Sequence, residues 1–253
     1  MHHSLAGRVV VVTGASSGIG RAIALACARA GAHVMLTYRE SASEAHAVQR
    51  AITGLGVRAE TARVDLAEPP TIAALATLAR QHFGRVDAWI NNAGADILTG
   101  AGATLGDIEK LDRLLTVDLK GTMLASWTAS ELMMPQDGGG VIINMSWDHV
   151  LTGMEGRNPQ MFAAVKGGIL SFSKALARSV APSVRVNILA PGWIETSFGA
   201  DLDRARHQAI ADATPLKRWG TPDDVAGAAV FLASPAASFL TGQTILINGG
   251  VVM

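Results

Sequence analysis

Lys166 closes the run Phe162-Ala163-Ala164-Val165-Lys166, one helical turn beyond an aromatic ring that carries no ionisable group. Residues four apart share one helix face, so the ring and the ammonium should face the same space. Upstream, Trp147-Asp148-His149 sets a carboxylate beside an imidazole that titrates near neutral pH, and Glu155 lies on the same loop. His149 is a candidate proton donor, with Asp148 or Asp118 available to hold its tautomer, as carboxylates do for imidazoles. The alternative is that these are solvated loop residues. Trp147, Met154, Trp193 and Phe198 are candidates for an apolar pocket or, equally, for core packing. A second loaded stretch comes early: Thr13-Gly14-Ala15-Ser16-Ser17-Gly18-Ile19-Gly20. A glycine-rich turn of this kind brings backbone N–H groups and a helix N-terminus close to a phosphate.

The elements that must position these groups alternate strand and helix. Val9 to Val12 are β-branched and apolar on both faces, as in a strand buried inside a parallel sheet. A helix over residues 21–30 follows, with Gly31 past its end. Further strands are expected at 33–38, 57–64, 86–90, 141–145, 184–189 and 244–247. Helices are expected at 41–53, 69–82, 107–134, 159–180, 202–213 and 222–233, with Pro69-Pro70 in a first turn. This alternation predicts an α/β fold: one doubly wound, Rossmann-type parallel sheet of about seven strands flanked by helices. With 253 residues, 49% hydrophobic and 17% charged, and no linker or composition shift, the chain reads as a single domain over 1–253 with a substrate lid around 193–215.

Lys plus Arg equal Asp plus Glu at 21 each, and no basic run exists, which argues against nucleic acid as a partner. The lone Cys27 sits in an apolar helix, so no disulfide framework is possible and a reducing, cytoplasmic location is expected. No membrane span and no signal peptide are read from the apolar pattern, and no metal site is expected.

Together the motifs resemble the short-chain dehydrogenase/reductase family. The resemblance spans the whole chain and rests on Thr13 to Gly20, Asp65, Asn91-Asn92-Ala93-Gly94, Lys166, Pro191-Gly192-Trp193-Ile194-Glu195-Thr196 and Asn248-Gly249-Gly250. The nearest group holds 3-oxoacyl-carrier-protein reductases and sugar or steroid dehydrogenases. The resemblance implies a nicotinamide dinucleotide held by Gly14, Ser16, Ser17, Gly18, Ile19 and Gly20. Asp65, with Leu66 beside it, would take the adenine amine. Asn91, Ala93 and Gly94 would lie along the adenosine ribose, and Asn92 would brace the sheet. Lys166 would hold the nicotinamide ribose, and Ile194 and Thr196, after Pro191-Gly192, would contact the carboxamide. At the end of the second strand stand Tyr38, Arg39 and Ser41 in place of an acid. A guanidinium pairs a 2′-phosphate, so NADP is expected over NAD. The resemblance also implies a homo-oligomer, tetramer or dimer, paired through the helices near 108–134 and 159–180.

The family's catalytic set is Asn, Ser, Tyr and Lys. Here Lys166 fits, but the Tyr position holds Phe162, the Ser position Trp147 and the Asn position Asp118. Tyr38 is the only tyrosine in the chain and belongs to the adenine end. Ser146 is one residue early and should point to the opposite face of its strand. A positioned general acid is worth about 10²–10⁴ in rate. The expectation is therefore an atypical NADP(H)-dependent oxidoreductase acting on an imine, iminium, enone or carbonyl compound. The alternatives are a catalytically silent NADP(H)-binding sensor or scaffold, and a non-redox lyase, isomerase or cyclase.

Overall fold

The computed structural model describes residues 4–200 and 202–253; the side chains of Phe198 and Ala200 lie outside the described set. The pocket role expected for Phe198 therefore falls outside it. Seven parallel strands form one sheet in the order β3-β2-β1-β4-β5-β6-β7. They are β1 Val9–Val12, β2 His33–Tyr38, β3 Ala59–Arg63, β4 Ala88–Asn91, β5 Gly140–Met145, β6 Val184–Pro191 and β7 Thr244–Ile247. This is the single-domain α/β architecture that the alternation predicts.

The buried valines of β1 divide between two cores. Val10 and Val12 pack on the layer formed by α1 (Gly18–Arg29), α2 (Ala42–Thr53) and the C-terminal helix Pro222–Ala233. Val11 packs on the opposite layer, which includes α3 (Pro69–Phe83). Successive strand residues point to opposite faces, so a strand covered by helices on both sides must be apolar throughout. Cys27 is fully buried in the first core, and desolvation pushes its thiol up to about 12, far from any nucleophilic state.

Three local features differ from the sequence pattern. A short helix, α4 (Gly100–Ala103), follows β4, and residues 107–134 are not one uniform helix. α5 (Asp107–Arg113) passes into a π-helical stretch, Leu114–Lys120, and then into α6 (Gly121–Met133). The three pieces follow one another without a break in residue order, so apolar periodicity alone does not reveal the wider winding. At its far end Gly121 approaches the loop after β3 so closely that a Cβ would stand 2.7 Å from Leu66 Cβ. After β5 comes α7 (Arg157–Val180); after β6 come α8 (Ser197–Ala200), not foreseen, and α9 (Arg204–Ala213). The last helix, α10 (Pro222–Ala233), begins with a Thr221/Asp224 capping box. Among the described residues, no helix is long and apolar enough to cross a membrane.

The strand order reverses between β1 and β4. A crevice therefore opens beyond their C-terminal ends, where open α/β sheets bind ligands.

Candidate active site

The glycine turn lies at that crevice and is held from behind. The Thr13 hydroxyl accepts the N–H groups of Asn92 and Ala93, both at 3.0 Å. Asn92 Nδ2 donates to the carbonyls of Thr13 and Gly14 at 3.0 and 3.1 Å, which is the brace the sequence suggests. Gly14 has φ +63°, and a Cβ there would stand 2.8 Å from Ala93 Cα; at Gly20 it would stand 2.2 Å from the Gly14 carbonyl oxygen. Gly18, φ +52°, differs: its nearest neighbour would be Thr196 Cγ2 at 3.8 Å, so this glycine faces open space. Ser17 makes no capping bond, and the first turn of α1 carries no acid. The N–H groups and the positive end of the dipole are thus left toward that space. Ser16 lies half-buried in the same turn.

Asn91 ends β4. Its side chain is turned into the interior, accepting from Trp89 Nε1 at 2.8 Å and donating to Ser126 Oγ and Asn144 Oδ1 at 3.0 and 2.8 Å. Asn144 in turn donates to Ser173 Oγ at 2.8 Å. Only the Asn91 backbone is left for a ligand, whereas Ala93 and Gly94 follow in the loop at the crevice. Asp65 stands two residues past the end of β3, half-buried, with Oδ1 accepting the Ala67 N–H at 2.9 Å. Leu66 beside it is buried. Tyr38 does end β2; Arg39 follows, partly exposed and paired with Glu40 at 2.9 Å, and Ser41 precedes α2.

Over the other end of the crevice lies a cavity of about 500 Å³. Ile19, Gly192, Ile194 and Thr196 line the side toward the glycine turn. Trp147, Met154, Phe162, Trp193 and Trp219 supply large apolar walls, and Asn158, Lys166 and Arg206 supply polar groups. Lys166 Nζ lies 5.3 Å from the centre of the Phe162 ring, on the face the four-residue spacing predicts. Trp147 meets Phe162 edge to face at 5.4 Å. Ser146 also lines the cavity, but its hydroxyl is engaged, donating to the Lys166 carbonyl at 2.9 Å.

Asp118 does not reach His149. The π-helical stretch carries it to Lys166, with Oδ2 2.9 Å from Nζ, while Oδ1 accepts the Ala95 N–H at 2.7 Å. The two side chains are 1% and 8% exposed, so this is a buried ion pair and not a surface one. Asp148 takes the histidine instead. Its fully buried Oδ1 meets His149 Nδ1 at 2.7 Å and accepts the His149 N–H at 2.8 Å, and Oδ2 accepts from Asn248 Nδ2 at 3.2 Å. Gly192 leaves room for that carboxylate: a Cβ would stand 2.8 Å from Asp148 Oδ2. The imidazole stacks behind Trp147 at 5.0 Å. Neither Asp148 nor His149 lines the cavity, and Glu155 is exposed. Among the described residues, no three His, Cys, Asp or Glu side chains group as a metal site would require.

A family profile described as enoyl-(acyl carrier protein) reductase matches residues 14–252. An uncharacterized oxidoreductase of Mycobacterium tuberculosis (strain CDC 1551 / Oshkosh) is 38% identical over 247 residues, covering 96% of this chain and 92% of its own. A 3-oxoacyl-[acyl-carrier-protein] reductase of Synechocystis sp. is 35% identical, covering 99% of both chains. The chain belongs to the short-chain dehydrogenase/reductase family. Among solved short-chain dehydrogenase/reductase structures, a 7α-hydroxysteroid dehydrogenase complexed with NADH and 7-oxoglycochenodeoxycholic acid superposes with a TM-score of 0.89 at 30% identity, covering 99% of this chain and 96% of its own.

Membership of this oxidoreductase family gives the crevice its sense. A glycine cradle that extra Cβ atoms would fill, an unopposed helix N-terminus and the open face at Gly18 suit a dinucleotide pyrophosphate. The cavity beyond it is lined by Trp147, Phe162 and Lys166, with the buried Asp118 behind Lys166. Sequence reasoning missed Asn158, Arg206 and Trp219 in the cavity wall. Asn158 stands on α7, Arg206 on α9 and Trp219 in the loop before α10, and no periodicity links the three.

Proposed function

We propose that this protein is an NADP(H)-dependent reductase of a small molecule whose reacting group needs no strong acid. A cyclic imine or iminium comes first, with activated enones and carbonyls after it. One observation carries this reading: no carboxyl, phenol or imidazole group among the described residues lines the cavity. In this reading Phe162 stands in the proton donor's place. When bound, the cofactor supplies a hydride equivalent to an electrophilic carbon. An iminium carbon accepts it without a proton on the reacting atom, so the missing tyrosine costs such a reaction little. The chain's own residues suit a cationic group. Phe162 and Trp147 present aromatic surface, which attracts a desolvated cation. Asp118 neutralises Lys166, so the ammonium does not repel a second positive charge beside it. Lys166 remains placed to hold ribose hydroxyls.

The discriminating experiment is NADPH consumption over matched ketone, enone and preformed cyclic iminium compounds. Turnover is expected with iminium substrates, at least about 10²-fold above the matching ketones. Ketone turnover at or above the iminium rate would remove the reading.

For the cofactor, Tyr38 and Arg39 at the end of β2 support NADP over NAD. Arg39 is bonded to Glu40 in an exposed pair that a phosphate dianion can displace cheaply. The variant Arg39→Asp is expected to lose about 10- to 100-fold in NADPH affinity while NADH affinity holds, as a charge-assisted hydrogen bond is removed. Fluorescence titration of both cofactors measures it, and an unchanged affinity ratio excludes Arg39 as the selector. Ser16, Ser17, Ile19, Asp65, Leu66, Ala93, Gly94, Pro191, Ile194 and Thr196 complete the cofactor contacts in this reading, with α8 and α9 as the lid.

A second reading is favoured by the same ion pair. A lysine held by Asp118 also fits a catalytically silent NADP(H) sensor, for which tight binding without turnover on any compound is the signature. Exposed apolar side chains at Ile108, Leu115, Trp127 and Met134 support a homo-oligomer built through α5 and α6. The buried, unpaired Cys27 supports a cytoplasmic location.

A further inference from the structure

Four aromatic rings of the cavity wall, Phe162, Trp147, Trp193 and Trp219, belong to a longer row that His149 and His207 complete from behind. Phe162 touches Trp147, and Trp147 stacks on His149 at 5.0 Å. His149 meets Trp193 at 6.4 Å, Trp193 meets Trp219 at 5.5 Å, and Trp219 lies flat on His207 of α9 at 4.6 Å and 7°. Trp219 Nε1 also donates to the His207 carbonyl at 3.0 Å, which ties α9 to this aromatic row. The row thus runs from the ring above Lys166 to the lid helix. There, one residue before His207, Arg206 enters the cavity lining.

The charges in this space are uneven. Lys166 is neutralised by Asp118 at 2.9 Å. Arg206 is exposed, and its guanidinium has no ion-pair partner among the described residues. The nearby Asp203 carboxylate is engaged in capping α9, accepting the Arg206 backbone N–H at 2.8 Å. Among the described residues no carboxylate lines the cavity, so none of them compensates the arginine in its wall. A guanidinium fork is suited to a planar or tetrahedral oxyanion, which it binds through paired N–H donors.

We propose that the cavity takes a substrate with an elongated apolar or aromatic body and an oxyanion at the end remote from the reacting carbon, bound by Arg206. This rests on the reading of the cavity as the substrate site of a reductase and adds the substrate's class to it. Aromatic rings along the wall cover the body, and Arg206 at the mouth fixes its direction, which presents the other end to Lys166 and Phe162.

Three probes share one body: biphenyl-4-carboxylate, biphenyl-4-phosphonate and the neutral biphenyl-4-carboxamide. Their affinities for the full chain saturated with NADPH are read by calorimetry and tryptophan quenching. The better of the two anions is expected to bind about tenfold tighter than the carboxamide. Which anion it is separates a carboxylate-bearing substrate from a phosphorylated one. The preference should fall to within about twofold in Arg206→Gln and survive in large part in Arg206→Lys. Equal affinity for anions and carboxamide, or a preference that persists in Arg206→Gln, overturns the proposal. Failure of all three probes to bind while NADPH binds overturns it together with the cavity reading. Anion-selective binding without turnover on any panel compound would leave Arg206 its ligand and remove only the reductase reading.

Discussion

Phe162→Tyr alone does not raise ketone reduction above that of the parent protein. Restoring the phenol supplies a proton, but three neighbours still oppose its use. Trp147 meets the ring at position 162 edge to face at 5.4 Å, so bulk fills the place where a serine hydroxyl would orient a carbonyl. Ser146 cannot take over, because its hydroxyl is committed to the Lys166 carbonyl. Asp118 holds Lys166 Nζ at 2.9 Å, and a neutralised ammonium is a poor partner for lowering a phenol's pKa. The triple change Phe162→Tyr, Trp147→Ser and Asp118→Asn supplies the phenol, replaces the bulk at 147 with a hydroxyl and removes the counter-charge from Lys166. It is expected to raise ketone reduction by about 10²–10⁴, the usual worth of a positioned acid. NADPH absorbance in steady-state assays on one ketone, with all variants in parallel, makes the comparison. Recovery from Phe162→Tyr by itself would show that Trp147 does not stand where the substrate carbonyl must sit.

Asp118→Leu should be the most destabilising single change in the cavity. It strands the Lys166 ammonium, 8% exposed, without a counter-charge, and it also leaves the Ala95 N–H without its acceptor. Removing one partner of a buried pair costs about 3–5 kcal/mol. For a chain of this size each kcal/mol moves the midpoint by about 2–4 °C, so a fall of roughly 10 °C is expected. The double variant Asp118→Leu with Lys166→Met replaces charge by packed hydrocarbon and should recover most of that loss. Thermal unfolding of the three proteins without cofactor tests it. A single variant within about 2 °C of the parent would mean that water reaches the lysine and that the pair is not a buried one. The exposed Arg39–Glu40 pair offers the contrast: breaking it should leave the midpoint nearly unmoved.

Much of this protein can be read from residue order alone. A run of valines can satisfy both faces of a strand only when helices cover both sides. That makes β1 central, and the strand–helix alternation then permits few topologies. The glycines at 14, 18 and 20 announce a close backbone approach because nothing else tolerates it. The four-residue spacing from Phe162 to Lys166 places both on one face of α7 through helix geometry. Tyr38 is the only tyrosine in the chain, so composition alone already says that no second phenol is available. Tertiary structure decided the partnerships. Period-two alternation sends Ser146 off its neighbour's face, but only the fold supplies the Lys166 carbonyl that receives it. Which carboxylate meets the lysine and which the imidazole depends on a π-helical stretch that apolar periodicity does not distinguish from an α-helix. It carries Asp118 to Lys166 and leaves His149 to Asp148. Asn91 turns inward because Ser126 and Asn144 lie beside it, residues 35 and 53 positions away. The cavity wall, too, joins side chains from loops and helices far apart in sequence, so Trp219 and Arg206 gain meaning only once packing brings them to one cavity. Short-range pattern reports what each segment buries, whereas charge pairing and cavity shape depend on which segments meet, and that is settled by packing.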